Sequence, residues 1–150
     1  MPFLHVNDIE LHYEMAGKGE PLLLIHGLGS SGRDWQSQID FFSRRYQVVV
    51  FDIRGHGLSG HPPGPYSIGL FADDTAKLIE HLLVPPVHVL GLSLGGMIGF
   101  QLAVDYPRLL KSMTVVNVGP QLKLKSPRLI MKMLRRFMTI RFRGMRKMGE

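Results

Sequence analysis

Short apolar runs punctuate the chain, and they are of two kinds. Phe3–Val6 and residues 9–13 alternate apolar with polar positions and are joined by Asn7-Asp8, whose side chains suit a tight turn. That spacing predicts a β-hairpin. Residues 21–25, 47–51, 87–90 and 113–118 are instead nearly continuous apolar runs. Strands that are apolar on both faces belong in a parallel sheet covered on both sides. Between them, helical spacing marks residues 35–42, with Ile39 and Phe42 inward, residues 67–83, with Leu70, Phe71, Leu78, Ile79 and Leu82 inward, and residues 97–106. Strand, helix, strand alternation predicts an α/β fold. The Gly-rich stretches 27–32, 55–65 and 91–96 fall at strand ends, where parallel sheets place their ligands.

From Lys123 the pattern changes to a basic amphipathic helix. Ile130, Met133, Leu134, Phe137 and Met138 fall on one side, Lys132, Arg135 and Arg136 on another, and Gly144 interrupts it. This segment carries the charge of the chain. Residues 123–150 hold ten Lys or Arg and one acid, whereas residues 1–122 hold eight basic and eleven acidic residues, within a formal net charge of +6. A nucleic-acid face is therefore not expected, because the body is mildly acidic. The 150 residues contain no cysteine, which excludes disulfide and thiolate–metal scaffolds. No apolar run reaches the roughly 18 residues of a membrane span, so a cytoplasmic protein is the expectation.

The richest stretch in chemistry is Val87-His-Val-Leu-Gly91-Leu92-Ser93-Leu94-Gly95-Gly96-Met97, an apolar run followed at once by G-x-S-x-G and a helical pattern. Glycines on both sides of Ser93 permit a sharp strand-to-helix turn with strained backbone angles, which lifts the hydroxyl clear of the sheet as an exposed nucleophile. The Leu94 N–H, at the start of the helix, points toward the oxyanion that acyl transfer generates. A second donor is assigned to the Leu28 N–H in His26-Gly27-Leu28-Gly29, at the end of an earlier strand. Asp52-x-Arg54-Gly55-His56-Gly57-x-Ser59 reads as a hydrogen-bonded turn rather than as catalytic groups. Trp35 is a core or pocket-wall aromatic, Met97 is a second candidate for the pocket wall, and His88 reads as a hydrogen-bonded core histidine.

In these motifs, in their order and spacing, and in Tyr106-Pro107 ahead of the next strand, residues 1–122 resemble the α/β-hydrolase superfamily. The likeness is to its cap-bearing branch of esterases, lactonases and C–C hydrolases. The resemblance implies an α/β-hydrolase fold with a predominantly parallel sheet and an N-terminal hairpin. It also implies a Ser nucleophile, a two-amide oxyanion hole and a helical cap inserted after the sixth strand. Residues 1–122 are then the N-terminal part of the core and residues 123–150 the start of the cap. The same basic segment also fits a helix lying on a membrane surface or an acidic partner.

In this fold the triad runs Ser, then Asp or Glu, then His. After Ser93 the only acids are Asp105 and Glu150, and no histidine follows. Asp105 reads as a solvated helix-end residue. Asn117 stands after the sixth strand, where some relatives carry their acid. His26 and His56 lie at the correct edge, but a base must come within about 3 Å of Ser93 Oγ. The expectation is the N-terminal part of a longer serine hydrolase, acting on a small carboxylic ester or lactone through an acyl-enzyme. Its C-terminal strands, most of the cap, the base and the acid then lie beyond Glu150. Alternatives are an aminopeptidase for N-terminal proline, although Leu28 stands where those enzymes usually carry glycine followed by proline, and a non-catalytic ligand-binding module. No metal or organic cofactor is expected; the partner is a small ester-like molecule.

Overall fold

A computed structural model describes residues 2–118 of the chain. The expected cap segment, residues 123–150, lies outside the described residues. Strands β1 (Phe3–Val6) and β2 (Ile9–Ala16) form the hairpin, with Asn7 in the left-handed region at φ 48°. β2 pairs antiparallel with β4 (Tyr46–Phe51), while β3 (Glu20–Ile25) runs parallel to both β4 and β5 (Val87–Leu92). β5 is parallel to β6 (Leu110–Val116), giving the order β1-β2-β4-β3-β5-β6. The sheet is mixed, mostly parallel, and hairpin-edged as the patterning predicts.

Among the described residues, three α-helices cover it. α1 (Gln36–Phe42) follows a single 3-10 turn, α2 (Ile68–Leu82) is capped by Ser67 Oγ accepting from Leu70 N–H, and α3 (Leu94–Asp105) follows β5 directly. In β3 and β4 the continuous apolar runs are explained by burial on both sides; β5 is buried on alternate positions only, and the run at 113–118, expected to be covered on both faces, has no buried residue. Leu23, Ile25, Val49, Phe51 and Val89 pack with Phe71, Leu78, Ile79, Ile98 and Leu102 of α2 and α3. The alternate residues Leu22, Leu24, Val48 and Val50 pack under Trp35 and Ile39 of the α1 side. That second cover stops short of β5 and β6. An open groove of about 590 Å³ remains there, lined among others by Trp35, Phe41, Phe42, Leu90, Leu92 and Val116.

Element bounds differ from the expected ones in instructive places. α3 begins three residues early, so Gly95 and Gly96 are helical rather than part of the turn. β6 begins at Leu110 rather than 113, because the turn Pro107–Leu109 sets Leu110 opposite Val87. Lys111 and Ser112 fall on exposed positions of a strand paired on one side among the described residues, so their polarity costs nothing there. His88 corrects the core reading. It is half-buried, with Nδ1 against Ser112 Oγ at 2.7 Å and Nε2 against Glu20 Oε2 at 3.0 Å. Its hydrogen bonds are as expected, but its strand face is the incompletely covered one. No described helix is long and apolar enough to cross a membrane.

Candidate active site

Ser93 sits between the last residue of β5 and the first of α3 with φ 51° and ψ −108°. A non-glycine residue held in such a region stores about 1–3 kcal/mol of strain and persists only where neighbours over-determine it. Here its N–H donates to Val116 O (2.9 Å) and its carbonyl accepts from Met97 N–H (3.1 Å). The flanking glycines act differently from the expected backbone freedom, for neither Gly91 nor Gly95 has a positive φ. They permit close approach. A Cβ on Gly95 would lie 2.2 Å from Ile25 O and 2.9 Å from His26 O, and one on Gly91 would lie 2.4 Å from Gly95 O. The helix is thus wedged against the end of β3, and the strained angle falls on the serine itself.

The same contact brings the loop after β3 to the serine. A Cβ on Gly27 would lie 3.5 Å from Ser93 Cβ. The turn that follows is closed by Ser30 N–H donating to Gly27 O (3.2 Å), with Gly29 at φ 73° and the Leu28 side chain 60% exposed. Leu94 opens α3, so its N–H is one of the four amides that a helix N-terminus leaves without an intrahelical partner. Ser93, Leu94 and the Leu28 segment therefore share one end of the sheet. The two remaining expected site residues part company. Met97 lies in the first turn of α3, its N–H on Ser93 O, while Trp35 lines the groove under α1, whose lining includes neither Ser93 nor Met97. Trp35 Nε1 is buried without a partner among the described residues.

His26 supports the loop and is unsuited to be a base. It is buried; Nδ1–H donates to Gly27 O (2.8 Å) and Nε2 accepts Ile53 N–H (3.0 Å), so both nitrogens are engaged. Burial pushes its pKa down to about 4, with the Gly27 carbonyl partly opposing and the adjacent His56 adding to the shift. His56 stacks edge-on with it at 5.3 Å and donates through Nδ1 to Arg54 O. Asp105 is exposed and accepts from Gln101 Nε2 at 2.6 Å, as a helix-end residue. Asn117 is exposed with φ 57°.

Asp52 and Arg54 are scaffold, and their reach exceeds their own turn. Asp52 Oδ1 accepts Gly32 N–H (2.7 Å), and Oδ2 accepts Leu58 N–H (2.8 Å) and His12 Nδ1–H (3.1 Å). Arg54 forks onto Asp74 through Nε (2.6 Å) and Nη2 (2.9 Å) and reaches Asp8 (2.6 Å), tying the hairpin turn to α2. These two carboxylates raise its already high pKa further. The sequence pattern carried one sign of Asp74, an acid between Phe71 and Leu78 on the inward side of a helix; His12 and Asp8 carried none.

The family model described as alpha/beta hydrolase fold matches residues 20–148 of the chain. Among curated proteins, the chain is 40% identical over 117 residues to RutD of Azorhizobium caulinodans, provisionally named a carbamate hydrolase, covering 78% of this chain and 44% of that one. It is 33% identical over 130 residues to 3-oxoadipate enol-lactonase 2 of Acinetobacter baylyi, covering 81% and 49%. Among solved structures, a thermophilic esterase from Thermogutta terrifontis superposes with a TM-score of 0.75 at 34% identity, covering 80% of this chain and 44% of that one. The chain spans less than half the length of each of these three relatives.

Proposed function

The chain belongs to the α/β-hydrolase fold family, and from that premise we propose that it carries the nucleophile of a serine hydrolase acting on a small carboxylic ester or lactone. The observation that carries this reading is Ser93 itself, strained at φ 51° on a strand-to-helix elbow beside Gly27. Ser93 Oγ attacks the substrate carbonyl, and the Leu28 and Leu94 N–H groups receive the oxyanion. Collapse expels the alkoxide, which takes the serine's proton from the general base and leaves an acyl-enzyme that water then hydrolyses. The base and its orienting acid come from outside residues 1–150. In support, no histidine follows Ser93 in the sequence, and His12, His26 and His88 are engaged elsewhere. The names of the lactonase and esterase relatives fit the same carbonyl chemistry. Of the two pocket candidates, Met97 is tied to the nucleophile through its N–H on Ser93 O, while Trp35 lines a groove that does not include Ser93.

The test uses the protein isolated from its own source, alongside Ser93→Ala. A fluorophosphonate probe is expected to add one adduct on Ser93, and the substitution is expected to abolish both labelling and hydrolysis of p-nitrophenyl acetate, by at least about 10⁴-fold. Undiminished hydrolysis in Ser93→Ala would sink the assignment.

A further inference from the structure

His12 lies outside every motif discussed above, yet it is buried to 4% exposure at the end of the sheet that carries the site. Its imidazole makes a single hydrogen bond, from Nδ1–H to Asp52 Oδ2 at 3.1 Å, and its Nε2 is buried with no partner among the described residues. Leaving an acceptor dry and unpaired costs about 1–3 kcal/mol. An apolar side chain would avoid that cost; beside an edge-on contact with Phe3 at 5.4 Å, which an apolar ring could also make, the bond to Asp52 is what the imidazole contributes. Strand pairing does not require it. The backbones are already joined by Asp52 N–H donating to His12 O (2.9 Å), and His12 N–H donates to Ser59 Oγ (2.9 Å), which itself donates to Asp52 O (2.5 Å).

Following the bond outward leads to the oxyanion segment. The Asp52 carboxylate that receives His12 also receives Gly32 N–H, where the loop after β3 ends, and Leu58 N–H of the neighbouring loop. One residue on, Ile53 N–H holds the start of the same loop through His26 Nε2. The segment bearing the Leu28 amide is thus pinned at both ends by two consecutive residues after β4. Both pins pass through a side chain, and His26 is steadied within its own loop by Nδ1–H donating to Gly27 O (2.8 Å). Asp52 is held from the other side by His12: of the three donors on its carboxylate, two are amides of loops and the third is the buried imidazole of a strand residue, which shares Oδ2 with Leu58 N–H.

We propose that His12 is a positioning residue of the active site, acting through Asp52 on Gly32 to set the Leu28 amide. It touches no substrate. The inference rests on the serine-hydrolase reading for its kinetic consequence, but the structural link does not. The test compares His12→Leu, which fills the space without a donor, with His12→Asn, whose amide N–H stands where Nδ1–H does. Both are made in the protein as isolated from its source. The readouts are kcat and KM for p-nitrophenyl acetate and amide exchange at Gly32, Leu58 and Met97. In His12→Leu, kcat is expected to fall about tenfold or more, with KM within about twofold. Exchange at Gly32 and Leu58 quickens while that at Met97 does not, and His12→Asn restores both. Wild-type exchange at Gly32 in His12→Leu overturns the proposal. So does a His12→Asn variant no better than His12→Leu, since the shape of the ring would then be all that matters. Should Ser93 prove not to be a nucleophile, the kinetic arm falls with the hydrolase reading, and exchange at Gly32 still decides the link.

Discussion

Gly95→Ala separates two readings of the nucleophile turn that predict opposite signs. If the glycine served only backbone freedom, alanine at this helical position would be harmless or would gain part of the about 1 kcal/mol by which it exceeds glycine in helices. The structure says otherwise, because the new methyl would lie 2.2 Å from Ile25 O and 2.9 Å from His26 O, against 3.4–4 Å for ordinary contact. Both neighbours are backbone, so α3 and the end of β3 must separate by roughly 1 Å. Overpacking of this kind costs about 1–3 kcal/mol, and a net loss near 2 kcal/mol lowers Tm by about 4–8 °C for a chain of this size. The displaced backbone carries Gly27 and Leu28, and a misplacement of about 1 Å can cost on the order of a hundredfold in rate. Urea unfolding, with fluorophosphonate labelling of Ser93, reads both effects. Gly69→Ala is the control: it lies in α2 with only Ser67 Oγ within 4 Å, at 3.8 Å, and should stabilise by about 0.5–1 kcal/mol. A Gly95→Ala protein as stable as the parent would refute the close-approach argument.

Asp74→Ala should cost about 3–5 kcal/mol in urea unfolding, since it strips a buried guanidinium of its bidentate partner and leaves the exposed Asp8; a loss under about 1 kcal/mol would contradict the geometry. The pH dependence of stability has a definite sign at His26. Its folded pKa, about 4, lies below the ordinary histidine value of 6.5, so the unfolded chain binds the proton more readily. Its contribution, about 3 kcal/mol, is full above pH 6.5 and is lost as pH falls toward 4. Unfolding titrations should show this slope, and His26→Gln should flatten it. Intact mass of the protein from its source tests whether base and acid lie beyond residue 150: a mass well above 16.9 kDa is expected, and a mass of 16.9 kDa would remove that source for them.

The identity of the elements was legible because each rests on local pattern. The continuous apolar runs at 21–25 and 47–51 read as strands covered on both faces and are so buried, and the G-x-S-x-G segment between a strand and a helical pattern read as an elbow; the run at 113–118 is a strand, but one with no buried residue. What misled was role at fixed position. The glycines beside Ser93 look in sequence like residues granting backbone freedom, whereas the positive φ belongs to the serine and the glycines yield space to Ile25 and His26. His88 reads as core from its neighbours Val87 and Val89, but its own side of β5 lies where the α1 cover stops.

By itself, then, the sequence determined the order of strands and helices along the chain and which serine lies on the elbow, because these follow from periodicity and from turn chemistry within a few residues; the family followed from the resemblance its motifs carry. Only the tertiary structure decided what holds that elbow in place. His12 meets Asp52 across 40 positions and Asp52 meets Gly32 across 20, while Arg54 reaches Asp74 and Asp8. Such partners leave no periodic trace, since a hydrogen bond between distant residues needs only that the fold bring two atoms to about 3 Å.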